Sequence, residues 1–401
     1  MSLPTVKSHH SAPILITLAL VFLVLAAFPA GAGAVTERWT KTFDHDSSDY
    51  GNDVAVAPDG SVYIVGTIYN PTTYSDIWLR KYSPRGKKKW TRIWDGGGQD
   101  YDNGYGVSVA PDGSVYVAGT VGEGRASSDL LLLKYSAAGK FKWDRRKDYG
   151  GDETAYGVAA TPDGGAVAVG RVFSGGGGPN IWVRKYSRKG KSKWTRIFNH
   201  ASDGPDMGHG VAAGPDGSVY VAGTVYVDEQ GYNAWLRKYS SRGRKKWTRT
   251  YNNDDMDDED RGEGVAVGPD GSVYLVGSAT LSGVGKNILV RKYSSGGKLR
   301  WTRTPDGPFS GEDQGRGVAV GPDGGVYVTG YVTVLNQAFN IWTRKYSPKG
   351  KEVWTRELDG GDLQNDQGHG VAASADGSVY VGGQVNQGTG GLDIWLRKYR
   401  E

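Results

Sequence analysis

The side chains best suited to chemistry occupy one recurring position, two residues before a valine that returns at regular intervals along the chain. Imidazole, carboxylate, guanidinium, phenol and amide groups gathered at one place could bind a polar ligand, or supply a general acid and a general base. The alternative is a solvated loop edge that binds nothing. The position is occupied by Asn52, Tyr105, Tyr156, His209, Glu263, Arg316 and His369.

A second set of groups is acidic and lies a few residues upstream of the first. Carboxylate oxygens are preferred ligands of Ca²⁺, so a ring of these residues could bind calcium. An acid beside a glycine at a strand start more often accepts hydrogen bonds from backbone N–H groups, and we expect that structural role here. Calcium is the alternative, and no other cofactor is predicted. The acids are Asp49, Asp102, Glu153, Asp206, Asp260, Asp313 and Asp366.

Both sets belong to a sequence repeat. The stretch "GVAVGPDGSVYLVG" (264–277) has six near-copies, and successive turn aspartates are 51 to 54 residues apart. A fixed period near 50 residues indicates a solenoid, a propeller or an array. The turn aspartates are Asp59, Asp112, Asp163, Asp216, Asp270, Asp323 and Asp376.

One repeat contains four strands and no helical period. In residues 101–151 the strands read "YGVSVA", "VYVAGTV", "LLLLKYS" and "FKWDRRK", and a "PDGS" turn joins the first two. We call them strands a, b, c and d in chain order. Apolar residues occupy both parities of strands a and b, which indicates sheets covered on both faces, as in the stacked blades of a propeller.

The two ends of the repeat region decide the topology. The segment "ERWTKTF" (37–43) matches a strand d, whereas "IWLRKYRE" (394–401) matches a strand c with no strand d after it. The prediction is an all-β fold, a seven-bladed β-propeller of four-stranded antiparallel blades whose N-terminal strand completes the last blade. It spans residues 35–401, with repeats near 46–94, 95–147, 148–198, 199–251, 252–305, 306–358 and 359–401, the last joined by 35–45.

Loops and turns divide the predicted ring into two faces. The d–a and b–c loops differ between repeats and share one face, the variable loop face, where binding usually resides. It includes a strongly acidic segment at 252–264. The c–d turns on the other face form a basic rim, which either protects outer strands from edge pairing or faces an anionic surface. Its segments are "RGKKK" (85–89), "RKGKSK" (188–193), "RGRKK" (242–246) and "KGK" (349–351).

The N-terminus has the pattern of a secretory signal peptide. Lys7 precedes the apolar run 14–28, and Ala32-Gly33-Ala34 forms a small-residue cleavage site. We therefore expect residues 1–34 to be removed near Ala34 and the protein to be secreted or held at the cell surface. The alternative is an uncleaved N-terminal membrane anchor.

Composition narrows the functional classes. The chain contains no Cys, which excludes disulfides, thiolate zinc sites and catalytic thiols. Without residues 1–34 it has 47 Lys and Arg against 43 Asp and Glu, a near balance that does not predict nucleic-acid binding. A monomer is expected.

The motifs resemble a known repeat. "DNGYGVSVAPDGSVYVAGT" (102–120), the later "RKY" and the closing "W-T-R" are similar to the SBBP repeat, a family of secreted bacterial and archaeal β-propeller repeats. The likeness covers residues 35–401. It implies a secreted propeller and brings no agreed catalytic residues.

Function is less determined than fold. Ser-His-Asp order, zinc-ligand spacing and a phosphate-binding loop are all missing from the sequence. The leading hypothesis is a secreted, non-catalytic binding or scaffolding propeller that uses its variable loop face for a protein or glycan. The alternative is an extracellular carbohydrate-active lyase or hydrolase at the channel mouth, acting through His209, His369, Tyr105, Tyr156, Glu263 or Arg316.

Overall fold

The computed structural model describes residues 35–45, 47–122, 127–173, 177–200, 204–253, 259–334, 338–360, 365–386 and 391–401. The predicted signal peptide, its cleavage site and the acidic residues 254–258 lie outside these described residues. Within the described ranges, no helix is long and apolar enough to span a membrane.

The described residues form seven antiparallel sheets, each with its strands in the order a, b, c, d. Strand a is β2 (Tyr50–Val56), β7 (Asn103–Val109), β11 (Thr154–Ala160), β15 (Met207–Ala213), β19 (Arg261–Val267), β23 (Gln314–Val320) and β27 (Gln367–Ala373). Strand b is β3 (Val62–Asn70), β8 (Val115–Gly122), β12 (Ala166–Val172), β16 (Val219–Val227), β20 (Val273–Leu281), β24 (Val326–Thr333) and β28 (Ser378–Asn386).

The outer half of each blade consists of strands c and d. Strand c is β4 (Tyr74–Tyr82), β9 (Ser128–Tyr135), β13 (Asn180–Tyr186), β17 (Gly231–Tyr239), β21 (Gly285–Tyr293), β25 (Phe339–Tyr346) and β29 (Leu392–Arg400). Strand d is β5 (Lys88–Trp94), β10 (Phe141–Lys147), β14 (Ser192–Phe198), β18 (Lys245–Tyr251), β22 (Leu299–Arg303), β26 (Glu352–Leu358) and β1 (Thr36–Phe43). The short β6 (Asp100–Tyr101) adds a parallel pairing to β4.

The ring is closed, as predicted. Each strand a contacts the strands a of both neighbouring blades, and β2 contacts β7 on one side and β27 on the other. The last blade is completed by β1, which pairs antiparallel with β29 from Thr36 opposite Arg400 to Phe43 opposite Ile394. The seven-bladed β-propeller with a shared last blade is therefore confirmed.

The a–b turn is fixed by its aspartate and glycine. We number the blades in chain order, from blade 1 (β2–β5) to blade 7 (β27–β29 with β1). In blade 1 the Asp59 carboxylate accepts the Ser61 N–H at 2.9 Å and lies 3.7 Å from Lys81 Nζ of strand c. Gly60 has φ +75°, a left-handed conformation that a side chain would strain. Lys185, Lys292 and Lys345 pair with the turn aspartates of their own blades in the same way.

Each blade is fastened to the next by donors from strands c and d. Trp90 Nε1 and Lys81 Nζ of blade 1 both donate to the Ala137 carbonyl in the c–d turn of blade 2, at 3.2 and 3.3 Å. Arg92 Nε donates to the Gly139 carbonyl of that turn at 2.7 Å. A Cβ on Gly139 would lie 2.9 Å from the Trp90 ring, so the turn needs glycine there. We call this arrangement the inter-blade latch.

The latch recurs around the ring with different turn residues. Indole donors are Trp39, Trp194, Trp247 and Trp301, which reach the carbonyls of Pro84, Ser241, Ser295 and Pro348. Arginine donors are Arg145, Arg196, Arg249 and Arg303, which reach Gly190, Gly243, Gly297 and Gly350. The strand-d tryptophans thus pack one blade against the next. The strand-c tryptophans are buried too, at Trp78, Trp182, Trp235, Trp342 and Trp395.

The junction of blades 6 and 7 uses a different acceptor. Blade 7 takes its strand d from β1, so it has no c–d turn to offer a carbonyl. Glu401 takes over this role, because its carboxylate accepts Trp354 Nε1 at 2.7 Å and Lys345 Nζ at 2.8 Å. Arg356 donates instead to the Val35 carbonyl at 3.2 Å.

Deleting residues 35–45 from a protein that begins at residue 35 should lower the free energy of unfolding by about 3–5 kcal/mol. The deletion removes the Trp39 and Phe43 rings from the blade 7 core and leaves the edge of β29 unpaired. Urea denaturation would measure the change, with the form that begins at residue 35 as control. An unchanged unfolding curve would contradict the role of β1 in closing the ring.

Replacing Glu401 with Ala should lower the free energy of unfolding by about 1–3 kcal/mol, because two buried donors lose a charged acceptor. Glu357→Ala is the matched control, since Glu357 is an exposed glutamate on β26 of the neighbouring blade. Equal stability of the two variants in urea would show that Glu401 does not act as the acceptor at this junction.

Candidate functional site

Each innermost strand carries a β-bulge at the position of the varied residues. In blade 1 the pairing of β2 with β3 shifts register between Gly51 and Asp53, so that Asn52 is the extra residue. The same shift occurs at the equivalent place in the other six blades. A bulge bends its strand and redirects the extra side chain, which explains how one position in each blade comes to face the channel.

The seven varied side chains line a single pocket of about 260 Å³ in the central channel. Because each strand a begins after a d–a loop, the pocket lies towards the variable loop face. The backbone of the residues after the bulges also lines it, together with a ring of valines one residue further along the strands. Those valines are Val107, Val158, Val211, Val265, Val318 and Val371.

Three neighbouring blades give the pocket an aromatic arc, made of Tyr105, Tyr156 and His209. The Tyr105 and Tyr156 ring centroids are 5.5 Å apart, and those of Tyr156 and His209 are 5.3 Å apart. Burial raises the pKa of Tyr105 to about 12, so its phenol stays protonated and can donate a hydrogen bond. The aromatic arc therefore offers a ligand in the pocket the surfaces of three rings, together with the phenol and imidazole groups that these rings carry.

The next three blades form a charged arc, made of Glu263, Arg316 and His369. One Glu263 oxygen lies 3.5 Å from His209 Nδ1, and the other accepts a hydrogen bond from Gln314 Nε2 at 3.0 Å. Gln314 is held in turn by the Tyr331 hydroxyl at 2.9 Å. Glu263 is therefore fixed in place by its neighbours and faces the aromatic arc through His209.

Both histidines of the pocket are kept neutral. Burial lowers the pKa of His209, although Glu263 acts in the opposite direction. Burial and the Arg316 guanidinium lower the pKa of His369 well below its usual value. The two rings line the pocket from blades 4 and 7, with two blades between them on the shorter path around the ring.

Blade 1 differs from the others in a way that the sequence analysis missed. Six blades have glycine directly after the bulge, where a Cβ would approach the next blade at 2.5–2.9 Å, as at Gly157 and Gly210. Blade 1 has Asp53, whose carboxylate accepts the Val54 N–H at 2.8 Å and the Val107 N–H of blade 2 at 2.9 Å. The sequence signal that could have revealed this difference is an aspartate at a position where the other six repeats have glycine. Asp53 lines the pocket, and burial raises its pKa to about 7.

The acidic set lies outside the pocket and has a structural task. Asp313 accepts the Gly307 N–H of the preceding loop at 2.5 Å and the Thr333 N–H at 2.7 Å. Its own N–H donates to the Lys286 carbonyl of the previous blade at 2.8 Å. Asp102, Glu153, Asp206, Asp260 and Asp366 accept backbone N–H groups in the same manner. This is the expected backbone role.

Calcium binding at these acids stays a prediction. Within the described residues, Asp76, Asp95 and Asp102 bring one carboxylate oxygen each within 4.8 Å of the others, and so do Asp129, Asp148 and Glu153. The oxygens of Asp102 and Glu153 already serve backbone N–H groups.

The basic rim lies on the opposite face and is exposed. Lys88, Lys193, Arg242 and Lys351 are among its exposed cations, and all lie in or beside the c–d turns next to the outer strands. On this face the channel opens into an apolar mouth lined by Pro58, Pro111, Pro162, Pro215 and nearby alanines. The two ends of the channel thus differ in chemistry, and the polar end carries the varied residues.

No family model and no curated protein match this sequence. The chain is similar in structure to a protein of unknown function from Dyadobacter fermentans, with 11% identity and a TM-score of 0.50 over 91% of this chain and 99% of that one. It is also similar to a protein of unknown function from Bacteroides caccae, with 10% identity and a TM-score of 0.45 over 74% and 93% of the chains. A further similar structure is described as YCF48 bound to D1 peptide, with 10% identity and a TM-score of 0.49 over 90% and 95%. At such identities a likeness shows the fold alone.

Replacing Asp53 with Gly, the residue of the other six blades, should make stability less dependent on pH. The folded pKa of Asp53 is about 7 and its unfolded value about 4, so the folded carboxyl holds a proton that the unfolded one has lost between these values. Wild-type stability relative to the variant should therefore rise by about 1–3 kcal/mol as the pH falls from 8 to 5. Urea denaturation of both proteins at the two pH values measures it, and a constant difference would refute the raised pKa.

Proposed function

We propose that this protein is an exported, non-catalytic binding β-propeller whose channel pocket holds one unit of a glycan. The observation that carries the proposal is the convergence of seven bulge residues on one pocket, while the surrounding frame repeats from blade to blade. The latch, the turns and the glycines account for the repeated residues. The varied residues do not contribute to the repeated contacts between blades in this way. The exception is Asn52, whose amide donates to the Gly104 carbonyl of the next blade at 2.7 Å.

The chemistry of the pocket favours a sugar. A pyranose ring has one relatively apolar face of C–H groups and an edge of hydroxyls, so it needs a flat aromatic surface beside hydrogen-bonding groups. Tyr105 and Tyr156 offer the first, and the charged arc offers the second. A cavity of about 260 Å³ has room for one small ring, and the loops of the variable loop face would contact neighbouring units.

Export and membership of the SBBP repeat family belong to the same proposal. They are supported by the sequence of residues 1–34 and by the repeat motifs, whose glycine, aspartate and aromatic positions all have roles in the blade. A protein that acts outside the cell would meet extracellular or surface glycans. All the described strands of the ring lie between Thr36 and Arg400.

One observation favours the enzymatic alternative. Burial raises the pKa of Asp53 to about 7, and Glu263 lies 3.5 Å from His209 in the same pocket. A carboxyl that titrates near neutrality is typical of a general acid, and a lyase or hydrolase would need such a group. Cleavage of any bound glycan by the wild type, and its loss in Asp53→Asn, would assign catalysis to the pocket.

Binding to a glycan array by the protein that begins at residue 35 should be detected and should be weaker in Tyr156→Ala. The substitution removes the centre of the aromatic arc, and loss of stacking should weaken binding by about tenfold. Phe141→Ala is the matched control, since Phe141 is an exposed aromatic residue outside the pocket, beside a c–d turn on the opposite face.

Three results would separate the alternatives. Loss of binding in Phe309→Ala, a change in an exposed d–a loop outside the pocket, but not in Tyr156→Ala would place the ligand on the loops and refute the pocket. Capture of a protein partner without any glycan signal would refute the glycan assignment. Release of shortened saccharide from the bound glycan would refute the non-catalytic role.

A further inference from the structure

The pocket contains a cation whose charge has no partner. Arg316 lines it, and among the described residues no carboxylate lies within ion-pair distance of its guanidinium. Its Nε is buried and has no hydrogen-bond partner. The guanidinium lies over the Tyr331 ring, with Cζ 5.3 Å from the ring centroid.

The acid that could neutralise Arg316 is engaged elsewhere. Glu263, on the neighbouring blade, is held by Gln314 Nε2 at 3.0 Å and faces His209 at 3.5 Å. Arg171 and Arg261 also have a buried Nε without a hydrogen-bond partner, whereas the arginines of strand c behave differently. Arg80, Arg237 and Arg344 each donate from Nε to a threonine hydroxyl of strand d, at 2.6–2.8 Å. Arg316 is therefore not a copy of a structural arginine.

The pocket around Arg316 also contains histidine nitrogens without hydrogen-bond partners, and other arginines add positive charge to it. His369 Nε2 and His209 Nε2 are buried and have no hydrogen-bond partner. Arg171 and Arg261, like Arg316, contribute positive potential at His209. A buried charge without a partner is costly, and such groups in native structures commonly have a ligand-binding role.

We propose that the pocket recognises the carboxylate of an acidic sugar, which pairs with Arg316 and accepts a hydrogen bond from His369 Nε2. The inference rests on the proposed glycan function and names the class of glycan. A planar carboxylate matches the fork of a guanidinium, and a neutral imidazole can carry its proton on Nε2.

The ring order of the blades agrees with this orientation. Tyr156 belongs to blade 3 and Arg316 to blade 6, so they face each other across the channel from non-adjacent blades. A uronic acid bears its carboxylate on the rim of the sugar ring. Stacking of the ring near Tyr156 therefore directs an equatorial carboxylate towards Arg316.

The test compares charged and neutral sugars of the same shape. Isothermal titration calorimetry with the protein that begins at residue 35 would use methyl glucuronide against methyl glucoside, and methyl galacturonide against methyl galactoside. Acetate and inorganic phosphate serve as anions without a sugar ring. We expect at least one uronide to bind about ten- to a hundredfold more tightly than its neutral counterpart.

Arg316→Gln should reduce the affinity for that uronide to the level of the neutral glycoside, and leave the neutral glycoside unchanged. Lys349→Gln, an exposed cation of the basic rim, is the control and should change neither affinity. Arg316→Gln should also keep or raise the melting temperature, because it removes an unpaired buried charge. Arg303→Gln should lower it, because Arg303 bonds the Gly350 carbonyl of the next blade.

The outcomes distinguish this inference from the function on which it rests. Equal affinity for uronide and neutral glycoside in the wild type would overturn the carboxylate assignment while leaving glycan binding in place. Binding of acetate as tight as that of the uronide would overturn the saccharide assignment. A fall in melting temperature in Arg316→Gln as large as in Arg303→Gln would make Arg316 a structural residue and overturn the inference. Array binding by no glycan at all would refute the proposed function itself.

Discussion

The hydrogen bonds that join neighbouring blades are the constraint on which the structure depends. Trp90, Lys81 and Arg92 show the pattern, in which three donors of one blade converge on two backbone carbonyls of the next. A turn can present its carbonyls in this way only where a glycine leaves room for the indole ring, as Gly139 does. The repeated Trp, Arg and Gly of the sequence are therefore one interaction, divided between two repeats.

Because the latch holds the outer part of the ring, the inner strands are free to carry chemistry. Each strand a can include a bulge without loss of blade contacts, and the side chain at the bulge lines the channel pocket. The frame sets the position of the seven side chains, and the residue type at each sets the chemistry. Asp53 is an exception, since its carboxylate is both a pocket wall and a hydrogen-bond acceptor for the next blade.

Much of the fold could be predicted from the sequence, because the repeat supplied its own internal comparison. The turn motif "PDG", the strand order and the two unmatched end segments were sufficient for a closed ring of seven blades. The pocket residues could be found too, because Arg316 or His369 differ from their counterparts while their neighbours do not. The sequence could not show the bulges, since a register shift has no residue signature beyond a nearby glycine. Residue types also do not reveal which backbone carbonyls accept hydrogen bonds, as the Ala137 carbonyl does. For the same reason the sequence could not show that the Glu401 carboxylate replaces such a carbonyl at the last junction.

The pairing of β1 with β29 has a consequence for the order in which the molecule can form. Most strands pair with a neighbour that is close in sequence, whereas Thr36 meets Arg400 across almost the entire chain. Closing so long a loop carries a large entropic cost that is repaid only when the other blades are already in place. Blades 1 to 6 can assemble one after another during synthesis, but the ring, and with it the complete channel, can exist only after the final strand has been made.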